Sequence, residues 1–191
     1  MRGTYGLMYR LGLTPWVRPA VPAELSAVVA GPSALPPGRA VDLGCGTGEH
    51  ARYTAALGWS VTGVDFVPRA VATARRRDVP GLVDWRTADV TKPRAVDPGG
   101  TLAGGVQLLL DAGCLHGLTP SQRHGWADTV LHLSAPAATL LIHAVPAARR
   151  GIGPAGIDAA ELDELLNPNW RLLHESNTWY RFERRAEALP R

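Results

Sequence analysis

Ala40-Val41-Asp42-Leu43-Gly44-Cys45-Gly46-Thr47-Gly48 is a short apolar run that carries one acid and then breaks into glycine at every second position. Val41 and Leu43 suit a strand buried inside a sheet, and the glycines allow a tight turn and close approach of a ligand to the backbone. A helix begins at about Glu49, so its free N–H groups face whatever sits on the loop. Strand, glycine-rich turn and helix together outline a nucleotide-binding unit.

Working outward, the chain alternates strands and helices. Pro22 to Ala30 has a short helical pattern with Pro22 suited to the first helical position, ahead of the turn-rich connector Ala34 to Gly38. After the glycine loop, His50 to Leu57 reads as a helix closed by Gly58, and Ser60 to Asp65 as the second strand. Pro68 to Arg77 is a helix with proline at its start and arginines at its end, and Leu82 to Ala88 is a third strand. Pro93 to Gly105 gives a short helix and loop. Val106 to Asp111, the most apolar segment, is a fourth strand expected at the centre of the sheet. Thr119-Pro120 opens a helix to about Leu133, Thr139 to Ala144 is a fifth strand, and Asp158 caps a helix through Leu166. Trp170 to Glu175 and Trp179 to Arg185 form a terminal hairpin. The fold class is therefore α/β, a mostly parallel sheet covered on both faces with an antiparallel element at its end.

The 191 residues fit one domain, 1–191, with residues 1–33 as an N-terminal helical segment or lid and 34–191 as the core. Tyr5, Tyr9 and Trp16 make the leading segment too apolar for a floppy tail, and it needs something to cover. Apolar residues at 46% and charged residues at 19% exclude a disordered chain. No stretch approaches a membrane span and no signal-peptide pattern opens the chain, so no membrane partner is expected and the expected compartment is the cytoplasm. Cys45 and Cys114 are expected as free thiols. The net charge of +3 comes from arginine clusters near element ends, which reads as solvated surface and not as a nucleic-acid track. A monomer or homodimer acting on a small-molecule substrate is the expected form. No compact metal-ligand spacing occurs, so no metal is expected.

Ligands of such sheets bind beyond the carboxyl ends of the strands, and Gly44 to Gly48, Asp65-Phe66, Asp89-Val90 and Asp111 to His116 all fall there. The loop is G-x-G-x-G, with Glu49 where a dinucleotide fingerprint has its last glycine. Asp42 would repel a pyrophosphate and would suit a ligand's ammonium group. Asp65 can accept from a ribose diol and Asp89 from an exocyclic adenine amine, while Phe66 and Val90 can sandwich the ring.

Val41 to Gly48, Val64-Asp65-Phe66 and Ala88-Asp89-Val90 together resemble a class I S-adenosylmethionine-dependent methyltransferase. The resemblance implies a Rossmann-like seven-stranded sheet in the order 3-2-1-4-5-7-6, S-adenosylmethionine as methyl donor and S-adenosylhomocysteine as product. It assigns the cofactor to Asp42, Gly44, Cys45, Gly46, Gly48, Asp65, Phe66, Asp89, Val90 and Asp111. Tyr9-Arg10-Leu11 with Thr14-Pro15-Trp16, and Asp111 to His116 with Arg123, are similar to the small-molecule branch that includes thiol, thiopurine and tellurite-resistance proteins. On that likeness Tyr5, Tyr9, Trp16, Cys114, His116 and Arg123 bind the acceptor. Methyl transfer to an S, O or N nucleophile is in-line displacement, for which His116 is the candidate base. His50, His124, His132, His143 and His174 read as structural or surface groups. The alternative function is a relative of the fold with a cyclisation-type or purely binding role.

Overall fold

The structure, a computed structural model, describes residues 20–146 and 156–186. The chain runs α1 (Ala23–Val29), β1 (Arg39–Leu43), α2 (Glu49–Ala56), β2 (Ser60–Asp65), α3 (Pro68–Arg77), β3 (Val83–Thr87) and α4 (Pro93–Val96). It continues through β4 (Val106–Asp111), a 3-10 turn (Leu115–Gly117), α5 (Pro120–Leu133), β5 (Ser134–His143), α6 (Ala159–Leu166), β6 (Trp170–Ser176) and β7 (Trp179–Arg184). The seven strands form one sheet in the order β3-β2-β1-β4-β5-β7-β6. The strands from β3 across to β5 are parallel, and β7 runs antiparallel to both β5 and β6.

Alternation along the strands sorts the core into two layers. Val41, Leu43, Leu109, Leu140 and Ile142 pack beneath Trp126 and Val130 of α5 and Leu162 and Leu166 of α6. Ala40, Leu108, Leu110 and Leu141 pack on the other face against α1, α2 and α3. Each of these faces removes branched apolar side chains from water, at roughly 1.5 to 3 kcal/mol per fully buried side chain. Strands buried on both sides need crossover helices on both sides, which is why the helices divide evenly between the faces.

Two local expectations shift. Pro22 stands at the N-cap of α1 and not inside its first turn. Strand β5 begins at Ser134, directly out of α5, five residues before Thr139. The early part is hard to read because Pro136 lacks an N–H and Ala137 takes φ 57, while the register slips between Val106 and Leu108. Helix α1 is a packed element, with Leu25 fully buried among the residues of the second layer. The lid expected from residues 1–19, including Tyr5, Tyr9 and Trp16, lies outside the described residues.

Candidate active site

The glycine loop leaves β1 with Gly44 at φ 79, Gly46 at φ 55 and Gly48 at φ 83. At Gly44 a Cβ would come within 2.5 Å of the Cys114 Cβ, and at Gly48 it would enter the Trp85 ring, so both positions exclude side chains by conformation and by contact. Gly44 and Cys45 both donate to the carbonyl of Val64 at 2.8 and 2.9 Å, which pins the loop to the end of β2. On its outer side Arg52 donates to the Thr47 carbonyl at 2.8 Å, and Thr47 Oγ1 donates to the Glu49 carboxylate. Glu49 in turn pairs with Arg77 at 3.0 Å.

Asp65 braces the same loop. Its Oδ2 accepts from Gly46 N–H at 3.0 Å and its Oδ1 from Val67 N–H at 2.8 Å. Burial raises its pKa against these two bonds. A carboxylate oxygen carries two lone pairs, so each keeps one acceptor position. Asp89 accepts from the Thr91 backbone at 3.1 Å and from its hydroxyl at 2.8 Å. Val90 is packed into the core, and Phe66 stays half-buried at the end of β2.

Asp42 is only partly satisfied. It is 3% exposed, and its Oδ2 has no hydrogen-bond partner. Burial first, then the charges of Asp111, Asp65 and Glu49, push its carboxyl up to about 8, against a hydrogen bond from the Ala51 backbone. A buried polar atom left unpaired costs on the order of 1 to 3 kcal/mol, so the position calls for a donor, and a cation serves best.

Asp111 departs from the cofactor role expected for it. Its side chain turns inward, fully buried, where Oδ1 accepts from the N–H groups of Gly113, Cys114 and Leu115 at 3.1, 2.7 and 3.1 Å. Leu115 N–H also reaches Oδ2 at 3.0 Å. The carboxylate builds the turn that carries Cys114 and His116, which makes it a positioning residue. Arg123 also departs from the acceptor role. Its guanidinium is buried, donating to the Gly156 carbonyl and to Glu161 at 3.4 Å, and so ties α5 to the start of α6. Cys114 is half-buried beside Gly44, and burial pushes its thiol well up, which keeps it protonated and makes it a packing group.

His116 stands where the strand-end rule put it, on the 3-10 turn after β4. Burial, followed by the charge of His143, lowers its pKa, so the ring is neutral near pH 7 and able to take a proton. Its Nδ1 is buried without a partner. The sequence reading passed over His143, whose ring meets His116 edge-on at 6.1 Å between centroids and Trp179 at 5.0 Å. His143 closes β5, so the rule that found the glycine loop after β1 and the acids at the ends of β2, β3 and β4 also points to it. His50 lies on the same side, at the start of α2, and its pKa is lowered by burial and by the charge of His143. Trp85, the floor under Gly48, carried no sequence signal because it belongs to β3 and meets the loop only through the sheet.

This arrangement agrees with what the chain resembles among known proteins. Residues 40–136 match the methyltransferase-domain family, more than half of the chain, and the protein belongs to that family. It is a class I methyltransferase domain, the fold that uses S-adenosylmethionine as methyl donor. An uncharacterized methyltransferase of Schizosaccharomyces pombe is 25% identical over 95 residues, covering 49% of this chain and 61% of the relative. A ubiquinone biosynthesis O-methyltransferase of Xanthomonas campestris is 38% identical over 73 residues, 37% of this chain and 30% of the relative. The chain thus spans less than two thirds of these relatives' length. The structure of the 1,6-didemethyltoxoflavin-N1-methyltransferase of Burkholderia thailandensis, with its substrate and S-adenosylhomocysteine bound, superposes with a TM-score of 0.74. That pair shares 20% identity over 97% of this chain and 87% of the other, a likeness of fold.

Proposed function

We propose that the protein transfers a methyl group from S-adenosylmethionine to a small-molecule acceptor. The observation that carries this reading is the unpartnered Oδ2 of the buried Asp42 carboxyl, two residues before a glycine turn in which Gly44 and Gly48 leave no room for a Cβ. A pyrophosphate would meet repulsion there, whereas an amino-acid ammonium would supply the missing donor. Asp65 and Asp89 stand ready as acceptors for a ribose diol and an adenine amine, with half-buried Phe66 beside them. When bound, S-adenosylmethionine supplies a methyl carbon already activated by the positive sulfur.

The residues of this chain have the remaining tasks of holding the acceptor in line and keeping water away. Asp111 fixes the turn after β4, the turn carries His116, and Arg123 secures the neighbouring segment through Gly156. His116, kept neutral by burial, takes the proton of a hydroxyl or amine acceptor. A thiolate acceptor needs no such help. We extend the reading to a cytoplasmic protein whose residues 1–19, with Tyr5, Tyr9 and Trp16, cover the acceptor. Calorimetric titration tests it directly: S-adenosylhomocysteine should bind and NAD should not. Labelled donor with a panel of thiols, phenols and amines should then yield a methylated product. Binding without turnover of any acceptor would favour a cyclisation-type or purely binding role, and tight binding of NAD alone would overturn the proposal.

A further inference from the structure

His143 and Trp179 belong to neither the cofactor loop nor the turn after β4, yet the His143 ring meets both Trp179 and, on that turn, His116. They face each other as a register pair between β5 and β7. Leu141, two residues before His143, and Trp179 belong to the layer on the Asp42 side of the sheet. Their rings lie 5.0 Å apart at 44°, and the His116 ring stands against His143 at 6.1 Å and 74°. Each ring comes from a different element. The backbone fixes all three, since Ala144 N–H bonds to Thr178 O and Gly156 N–H to His116 O, both at 2.9 Å. His143 and Trp179 remain half-buried although they adjoin a closely packed core.

We propose that His143, Trp179 and His116 form the aromatic wall of the acceptor pocket, and that the wall selects a planar aromatic acceptor bearing an O–H or ring N–H. The inference rests on the methyltransferase reading and narrows its acceptor. His143 meets Trp179 at 5.0 Å and His116 at 6.1 Å, inside the roughly 4.5 to 7 Å at which ring pairs attract, and edge or face contact of one more flat ring with this row would attract beyond the area it buries. A saturated molecule of the same size gains only the area. A halide gains neither. The unpartnered Nδ1 of His116 adds the polar contact that an aromatic hydroxyl or ring N–H satisfies. His143 acts through His116 as a positioning residue and through its own face as part of the wall.

The experiment uses the full-length protein saturated with S-adenosylhomocysteine and two probes of matched size, 2-naphthol and decahydro-2-naphthol, titrated by calorimetry. Naphthol should bind at least about tenfold more tightly, a difference of about 1.4 kcal/mol. Trp179→Leu and His143→Leu should each erase most of that preference, and Trp179→Phe should keep it. Equal affinity of the two probes, no binding of naphthol, or a preference unchanged in both leucine variants overturns the proposal. The binding of S-adenosylhomocysteine, measured in the same samples, separates the two levels. Its failure in the native protein defeats the methyltransferase reading itself, whereas its success without aromatic preference defeats only the wall.

Discussion

Binding of the cofactor should expel a proton from Asp42. With its carboxyl at about 8, Asp42 is protonated in roughly ten molecules for each one ionised at pH 7. A ligand ammonium beside Oδ2 favours the ionised form, and each unit by which it draws the pKa down corresponds to about 1.4 kcal/mol. If the carboxyl falls below about 6 in the complex, close to one proton leaves per ligand bound at neutral pH. Affinity for S-adenosylhomocysteine should then rise by roughly 25- to 50-fold in all between about pH 6 and pH 8, the range over which the free protein gives up the proton that the complex does not hold. Calorimetry in two buffers of different ionisation enthalpy counts the proton directly, from the difference in observed heat. Asp42→Asn keeps the shape and removes the titration, so its heats should agree between buffers. The neighbouring carboxyls of Asp65 and Asp111 are present in both proteins, which assigns the missing proton to residue 42. A native protein that binds with no proton release, and with constant affinity over the range, would refute the placement of a cation at Asp42.

The ligand-free protein should lose stability as pH rises. Asp42 and Asp111, at about 8 and about 6 in the folded state, hold protons that the unfolded chain releases near the ordinary carboxyl value of 3.8. Their stabilisation is complete below about pH 4 and disappears on the way to about pH 8, so the urea midpoint should fall across that window, less so in Asp42→Asn. A midpoint that climbs from pH 5 to pH 8 would contradict the burial of both groups. Asp111→Ala strands the backbone donors of Gly113, Cys114 and Leu115 and should cost about 3 kcal/mol in denaturant unfolding, a loss under 0.5 kcal/mol being inconsistent with the turn described. His116→Gln should lower kcat about a hundredfold or more for a hydroxyl acceptor and barely affect a thiol, and equal losses for both would remove the base from the scheme.

The first four strands were legible because each ends in a recognisable way, whereas their order across the sheet came only with the family resemblance. Glycines follow β1, and acids close or follow β2, β3 and β4. The start of β5 was not legible, since Ala135-Pro136-Ala137 has neither the alternation of a half-exposed strand nor the branched residues of a buried one. At the site, residue type showed where chemistry gathers but not which way a side chain turns. Asp65, Asp89 and Asp111 look equivalent in sequence, yet Asp111 closes its own turn while Asp65 reaches across to Gly46. Arg123 presents a cation in sequence and a buried tie in the fold, because the carbonyl it serves lies 33 residues further on. His143 and Trp179 are neighbours only through an antiparallel register that no local pattern encodes.

Trp85 joins two positions far apart in the chain. Its ring fills the space where a Cβ on Gly48 would go and also the space above Gly63, where a Cβ would lie 2.5 Å from Cζ3. Ala74 also borders the Gly48 position, at 3.0 Å. Substitutions at 48, 63 and 85 are therefore not independent events. A lineage that first shortened Trp85 would open room for alanine at 63, and from then on regaining the tryptophan would be blocked. The order in which such changes can accumulate is set by the indole. Among relatives of this chain, a bulky aromatic at 85 should occur only together with glycine at 63.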